Sequence, residues 1–119
     1  MTSGSKAAVL RRGDWADLPD KWSGEVQLGP HGAALCLIFN LIDGPGGGPR
    51  LHRHPYAETF VIRAGTGLFT VGDREIRAEA GQILVVPGGV PHKFTNLGPG
   101  ALETIDIHES GAFDTEWLE

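Results

Sequence analysis

This chain is poor in sulfur: its 119 residues include one cysteine, Cys36, and one methionine. No disulfide can form within the chain, so a small fold must hold together by its core alone. Cys36 lies in an apolar run and reads as a small core residue rather than a reactive thiol. A reducing, cytoplasmic setting is the expectation. Positive charge is also scarce, with Lys+Arg 10 against Asp+Glu 15 and a net charge of −5. Such a balance argues against a phosphate-tracking surface, so no nucleic-acid partner is expected. Long hydrophobic runs are missing. The longest, Ala33 to Phe39, falls far short of the ~20 residues of a spanning helix, and Ala7 to Leu10 is too short for the apolar core of a secretory signal. No membrane partner is expected either. Helical apolar periods are absent but for Phe113 and Trp117, whose four-residue spacing predicts a short C-terminal helix over 113–118.

Glycine and proline are plentiful, at 18 and 8, and they fall between short apolar runs rather than in low-complexity blocks. Regular punctuation of this kind suits many short strands joined by turns, hence an all-β sandwich, barrel or jelly roll. The length fits one domain, which typically has about 100–150 residues, and no internal repeat divides it. Residues 1–14 read as an N-terminal arm, disordered over the small polar stretch from Met1 to Lys6, and residues 15–119 as the domain. Trp15 and Trp22 would pack on the domain itself or on a neighbouring subunit. Leu35 to Ile42 is apolar at nearly every position, the pattern of a strand covered on both faces. Further strands are expected at 50–54, 58–63, 83–86, 92–95 and 102–107. Leu68 to Val71 and Arg74 to Ala78 should form a hairpin about Gly72-Asp73.

Two spaced patterns carry the chemistry. The first runs Gly46, five residues, His52-x-His54, three residues, Glu58, six residues, Gly65. The second runs Gly81, five residues, Pro87-x-Gly89, two residues, His92, three residues, Asn96. Alternate residues of a strand share a face, so His52 and His54 project two imidazoles side by side. Glu58 keeps that parity if Pro55 does not reset it, and His92 can reach the group only through tertiary closure. Three imidazoles and a carboxylate suit one divalent transition metal: Fe, Mn, Ni, Co or Zn. Asn96 is better placed to satisfy turn backbone than to touch the ion.

These two patterns, complete at every fixed position, resemble the double signature of the cupin superfamily over residues 46–96. The resemblance implies a single small cupin jelly-roll β-barrel, metal ligation by His52, His54, Glu58 and His92, and a homodimer. It also implies a range of activities: dioxygenases, isomerases and epimerases, lyases, cyclases and non-catalytic binders. A dioxygenase acting on a small chelating diketone, enediol or polyphenol is the leading expectation, with Glu58 as the catalytic base. An isomerase or lyase would need a further base, for which Tyr56, His108 and Lys93 are the candidates. Phe60, Ile62 and Phe94 share the ligands' parity and are expected to line the substrate cavity. His31, in a Gly-Pro turn, and His108, at a strand end, are expected at the surface, and Lys93 and Arg63 toward solvent.

Overall fold

The computed structural model describes residues 6–119; the disorder expected at the extreme N-terminus falls mainly on residues 1–5, outside that range. Ten strands form two five-stranded antiparallel sheets: β1 (Gly24–Gln27), β2 (Cys36–Ile42), β3 (His52–Arg53), β4 (Glu58–Ala64), β5 (Thr66–Val71), β6 (Arg74–Glu79), β7 (Ile83–Val86), β8 (His92–Asn96), β9 (Leu102–His108) and β10 (Glu116–Trp117). One sheet has the order β1-β2-β9-β4-β7 and the other β10-β3-β8-β5-β6. Two facing antiparallel sheets with these long-range crossings make a jelly roll. No helix among the described residues is long and apolar enough to cross a membrane.

The closed end of the sandwich is aromatic. Phe60 of β4, Phe69 of β5 and Phe94 of β8 pack with ring centroids 5.1–5.4 Å apart. Ile62, Ala78, Val86 and Leu102 complete this buried cluster. The predicted hairpin is present, with Val71 paired to Arg74 across Gly72-Asp73. Gly65 joins β4 to β5 with φ +82°, and a Cβ there would lie 2.2 Å from the Ala101 carbonyl oxygen, so glycine alone fits. Asn96 staples the loops beneath this end. Its Nδ2 donates to the carbonyls of Ile42, Gly44 and Gly100 at 2.9–3.0 Å, and its Oδ1 accepts the Gly98 N–H at 2.8 Å.

Two expectations are corrected. The segment around Phe113–Leu118 forms no helix; Glu116 and Trp117 instead pair with Arg53 and His52 as β10. A helix this short has too few internal hydrogen bonds to offset its nucleation cost, whereas the extended chain anchors Phe113 against His108 and Trp117 against His52. Strand β3 is also shorter than expected, because Gly48 to Leu51 runs irregularly into it. The N-terminal indoles pack on their own domain. Trp15 and Trp22 lie 4.5 and 5.5 Å from the Phe39 ring, on the outer face of β2.

Candidate metal centre

The fold brings the four ligand candidates together from both sheets. His52 and His92 are directly paired across β3 and β8. His54 follows β3, and residues 55–57 then carry the chain to the opposite sheet. Glu58 opens β4 there, flanked by Val86 of β7 and His108 of β9. Pro55 therefore does reset the strand: Glu58 faces the histidines from across the sandwich rather than from beside them. All four side chains are buried, and one ligand atom from each lies within 4.8 Å of the others.

Each imidazole is set by the backbone. Nδ1 of His52 donates to the Arg50 carbonyl at 2.7 Å, Nδ1 of His54 to Asp114 at 2.9 Å, and Nδ1 of His92 to Val90 at 3.0 Å. A carbonyl only accepts, so each ring's proton resides on Nδ1 and the neutral imidazole turns a lone pair at Nε2 inward. Glu58 Oε1 stands 3.1 Å from His54 Nε2 and 3.0 Å from His92 Nε2. Nε2 of His54 is buried and has no hydrogen-bond partner, and the same holds for Nε2 of the neighbouring His108. Lone pairs held that close repel unless a cation or proton lies among them. Ligand atoms about 2.1 Å from an ion and at right angles stand about 3.0 Å apart, matching these separations. The donor set, the tautomers and the orphan nitrogen all fit one divalent metal ion.

In the metal-free site these rings can instead carry a proton toward Glu58: burial opposes its carboxylate, but His108, His54 and His92 then outweigh it and hold its pKa far below the usual range. Burial lowers the His52 pKa, and its imidazole neighbours lower it further. At His54 burial acts the same way, yet Glu58 and the Asp114 carbonyl prevail and raise it. The site opens into a cavity of about 430 Å³, within the range of small-molecule sites.

A cupin-domain family model matches residues 41–108. This chain is a member of the cupin family. Solved structures similar to this cupin include the Bacillus subtilis oxalate decarboxylase studied for its Mn(II) centres (TM-score 0.76, 20% identity, 98% of this chain and 35% of that one). An oxalate oxidase bound to glycolate aligns at TM-score 0.70 and 18% identity, over 79% of this chain and 53% of the other. The Lactobacillus farciminis oxalate decarboxylase formate complex aligns at TM-score 0.73 and 20% identity, over 89% and 34%. The cupin thus spans between a third and about half of these relatives, and at such identities the likeness is one of fold. Comparison with curated proteins returns no match.

Sequence reasoning misplaced His108. It is buried, not at the surface, and its Nε2 lies 3.1 Å from Glu58 Oε2. Tyr56 explains its state. The Tyr56 hydroxyl accepts the Asp114 N–H at 3.3 Å and lies 2.7 Å from His108 Nδ1. Its own proton has His108 Nδ1 as acceptor, which leaves the imidazole proton on Nε2, facing Glu58. Burial raises the Tyr56 pKa and keeps that proton in place. Tyr56 also stacks on His54, with centroids 5.0 Å apart and planes 8° from parallel. Of the three expected cavity residues, Phe94 lines the cavity, whereas Phe60 and Ile62 sit in the core cluster. Their parity is as expected, but β4 runs from the site into the closed end. Arg63 is exposed, Lys93 reaches Glu119, and His31 is exposed in its turn.

Proposed function

We propose that this cupin is a metal-dependent oxidoreductase of the dioxygenase type, acting on a small organic substrate that chelates the metal through two oxygens. The observation that carries the reading is the cluster of three imidazoles, each with Nδ1 against a backbone carbonyl, within 4.8 Å of the Glu58 carboxylate beside a cavity. His52, His54, His92 and Glu58 would hold the ion. A bound Fe, Mn or Ni ion supplies Lewis acidity and electron exchange with dioxygen. Ile38, Ile42, Phe94 and Phe113 exclude water around the bound substrate. Glu58 would take the proton of the substrate hydroxyl, with His108 Nε2 3.1 Å from its Oε2 to orient the carboxylate.

The test is metal content by elemental analysis on protein prepared without chelators, followed by oxygen uptake with a panel of diketones and polyphenols. About one equivalent of metal, lost in His92→Ala, with substrate-dependent oxygen consumption is the expected result. Metal without oxygen uptake refutes the dioxygenase. A second reading, metal-assisted isomerisation or elimination, is favoured by one observation: the Tyr56–His108 pair places a further proton-carrying group beside Glu58. Anaerobic turnover would select it.

The cupin also presents a surface for a second copy. On the outside of the β1-containing sheet, Val61, Ile83, Val85, Ile105 and Ile107 form an apolar band. Ile83 and Val85 are 66% and 56% exposed. The indoles cover only the β2 side of this face, and a homodimer would cover the rest.

A further inference from the structure

Three of the four candidate metal ligands, His52, His54 and Glu58, line the cavity, and its wall on β2 and β9 carries a polar pair with no part in holding the ion. Asn40 of β2 and Asp106 of β9 both line the cavity. Asp106 is 2% exposed, with Ile38 and Phe60 as its register partners on either side. Its Oδ1 accepts the Thr104 hydroxyl at 2.8 Å, and its Oδ2 touches the Asn40 amide.

We propose that Asn40 and Asp106 form a recognition pair for an uncharged hydroxylated ligand, an aromatic diol or a hydroxyketone, and that the cavity disfavours small dicarboxylates. This rests on the metal-site reading above and adds which side chains choose the ligand. Three observations support it. First, among the described residues that line the cavity the charged types are Glu25, Glu58 and Asp106, with no lysine or arginine. A divalent ion offset by Glu58 and Glu25 leaves no surplus positive charge, so a dianion would be buried without a counter-charge, which is costly. Second, burial pushes the Asp106 carboxyl well above the usual range, and the Glu58 charge adds to this against the opposing hydrogen bonds of Thr104 and Asn40. A neutral carboxyl needs an acceptor for its proton. Asn40 provides one if its amide is turned to place Oδ1 toward Asp106, and its NH2 group then faces the cavity as a donor. Third, the remaining walls, Ile38, Phe94 and Phe113, are apolar and suit a ring.

Isothermal titration of Mn(II)-loaded protein with 4-methylcatechol and with oxalate tests the inference. We expect 4-methylcatechol to bind at least about tenfold more tightly than oxalate, the scale of one hydrogen bond or one uncompensated charge. Asn40→Ala should weaken 4-methylcatechol about tenfold and leave both oxalate affinity and Mn content unchanged. Asp106→Asn, which preserves shape and neutrality, should keep 4-methylcatechol within about threefold. Oxalate binding as tightly as the catechol overturns the inference, as does full catechol affinity in Asn40→Ala or its loss in Asp106→Asn. Wild-type protein that takes up no Mn(II) would instead overturn the metal reading, and this inference with it.

Discussion

The Tyr56 hydroxyl is a single atom through which the state of the metal centre can be tested. Tyr56→Phe keeps the ring that stacks on His54 and deletes the group lying 2.7 Å from His108 Nδ1 and 3.3 Å from the Asp114 amide. With that hydroxyl gone, nothing fixes which nitrogen of His108 carries the proton. In the tautomer protonated at Nδ1, a lone pair at Nε2 faces Glu58 Oε2 at 3.1 Å, and Glu58 loses the contact that aligns it. Deleting a partner one bond beyond a ligand typically lowers metal affinity about 10–100-fold. Tyr56 acts through His108, one step further out, so about tenfold is expected. Folding stability should fall by about 1–2 kcal/mol, one neutral hydrogen bond plus a buried nitrogen left unpaired. The assay is competition for Mn(II) or Zn(II) against a chromophoric chelator, with urea unfolding alongside. Metal affinity within about twofold of wild type, together with the stability loss, would show that the hydroxyl is merely structural and refute the tautomer argument.

Further outcomes follow from other parts of the molecule. Asn96→Ala removes a buried amide with four backbone partners. It should cost about 3 kcal/mol in chemical denaturation; a loss under about 1 kcal/mol would mean the loops close without it. Asp106 has a folded pKa raised above its unfolded value, so the unfolded chain releases this proton at lower pH and stability falls as pH rises above about 4. Asp106→Asn lacks that dependence, and its stability relative to wild type should grow by up to about 1.4 kcal/mol per pH unit until the folded pKa is passed. A difference that stays constant from pH 4 to pH 7 contradicts a neutral Asp106. Val85→Lys puts a charge into the exposed apolar band and should turn a dimer into a monomer by light scattering. A wild-type monomer would remove the dimer altogether.

The four candidate ligands were legible in the sequence, but not how they meet. Both spaced patterns could be read because glycine positions and residue spacing are local properties of turns and strands. The site's other half was hidden by an inverted alternation. On β9, Leu102, Thr104, Asp106 and His108 point inward while Ile105 and Ile107 point out. The usual reading, apolar face in, would turn Asp106 and His108 to solvent. Inversion is stable here because the inner side is a polar cavity and the outer side an apolar face. Strand β2 mixes in the same way, with Asn40 inward and Phe39 outward beneath the indoles. The signal available beforehand was the polar set Thr104, Asp106, His108 at two-residue spacing, which a solvated strand edge would show equally. Pro55 is a different case: local parity cannot tell that a three-residue link crosses between sheets. The tail failed for a third reason, since a four-residue aromatic spacing fits a helical turn and an extended segment with two separate anchors.

Strand β10 and the residues before it make that tail part of the centre. The Asp114 carbonyl accepts the hydrogen bond of His54 Nδ1, the Asp114 N–H donates to the Tyr56 hydroxyl, and Trp117 lies 5.0 Å from the His52 ring. This piece lies at a sheet edge, where a ladder of two residue pairs is joined by the Leu118 N–H to the Leu51 carbonyl and by exposed Arg53–Glu116 and Lys93–Glu119 ion pairs. Edge elements of this kind open locally at lower cost than core strands. Peeling the tail away and releasing the imidazole of His54 are therefore one motion. The lifetime of the loaded centre and the amide exchange of the last few residues should share a single clock.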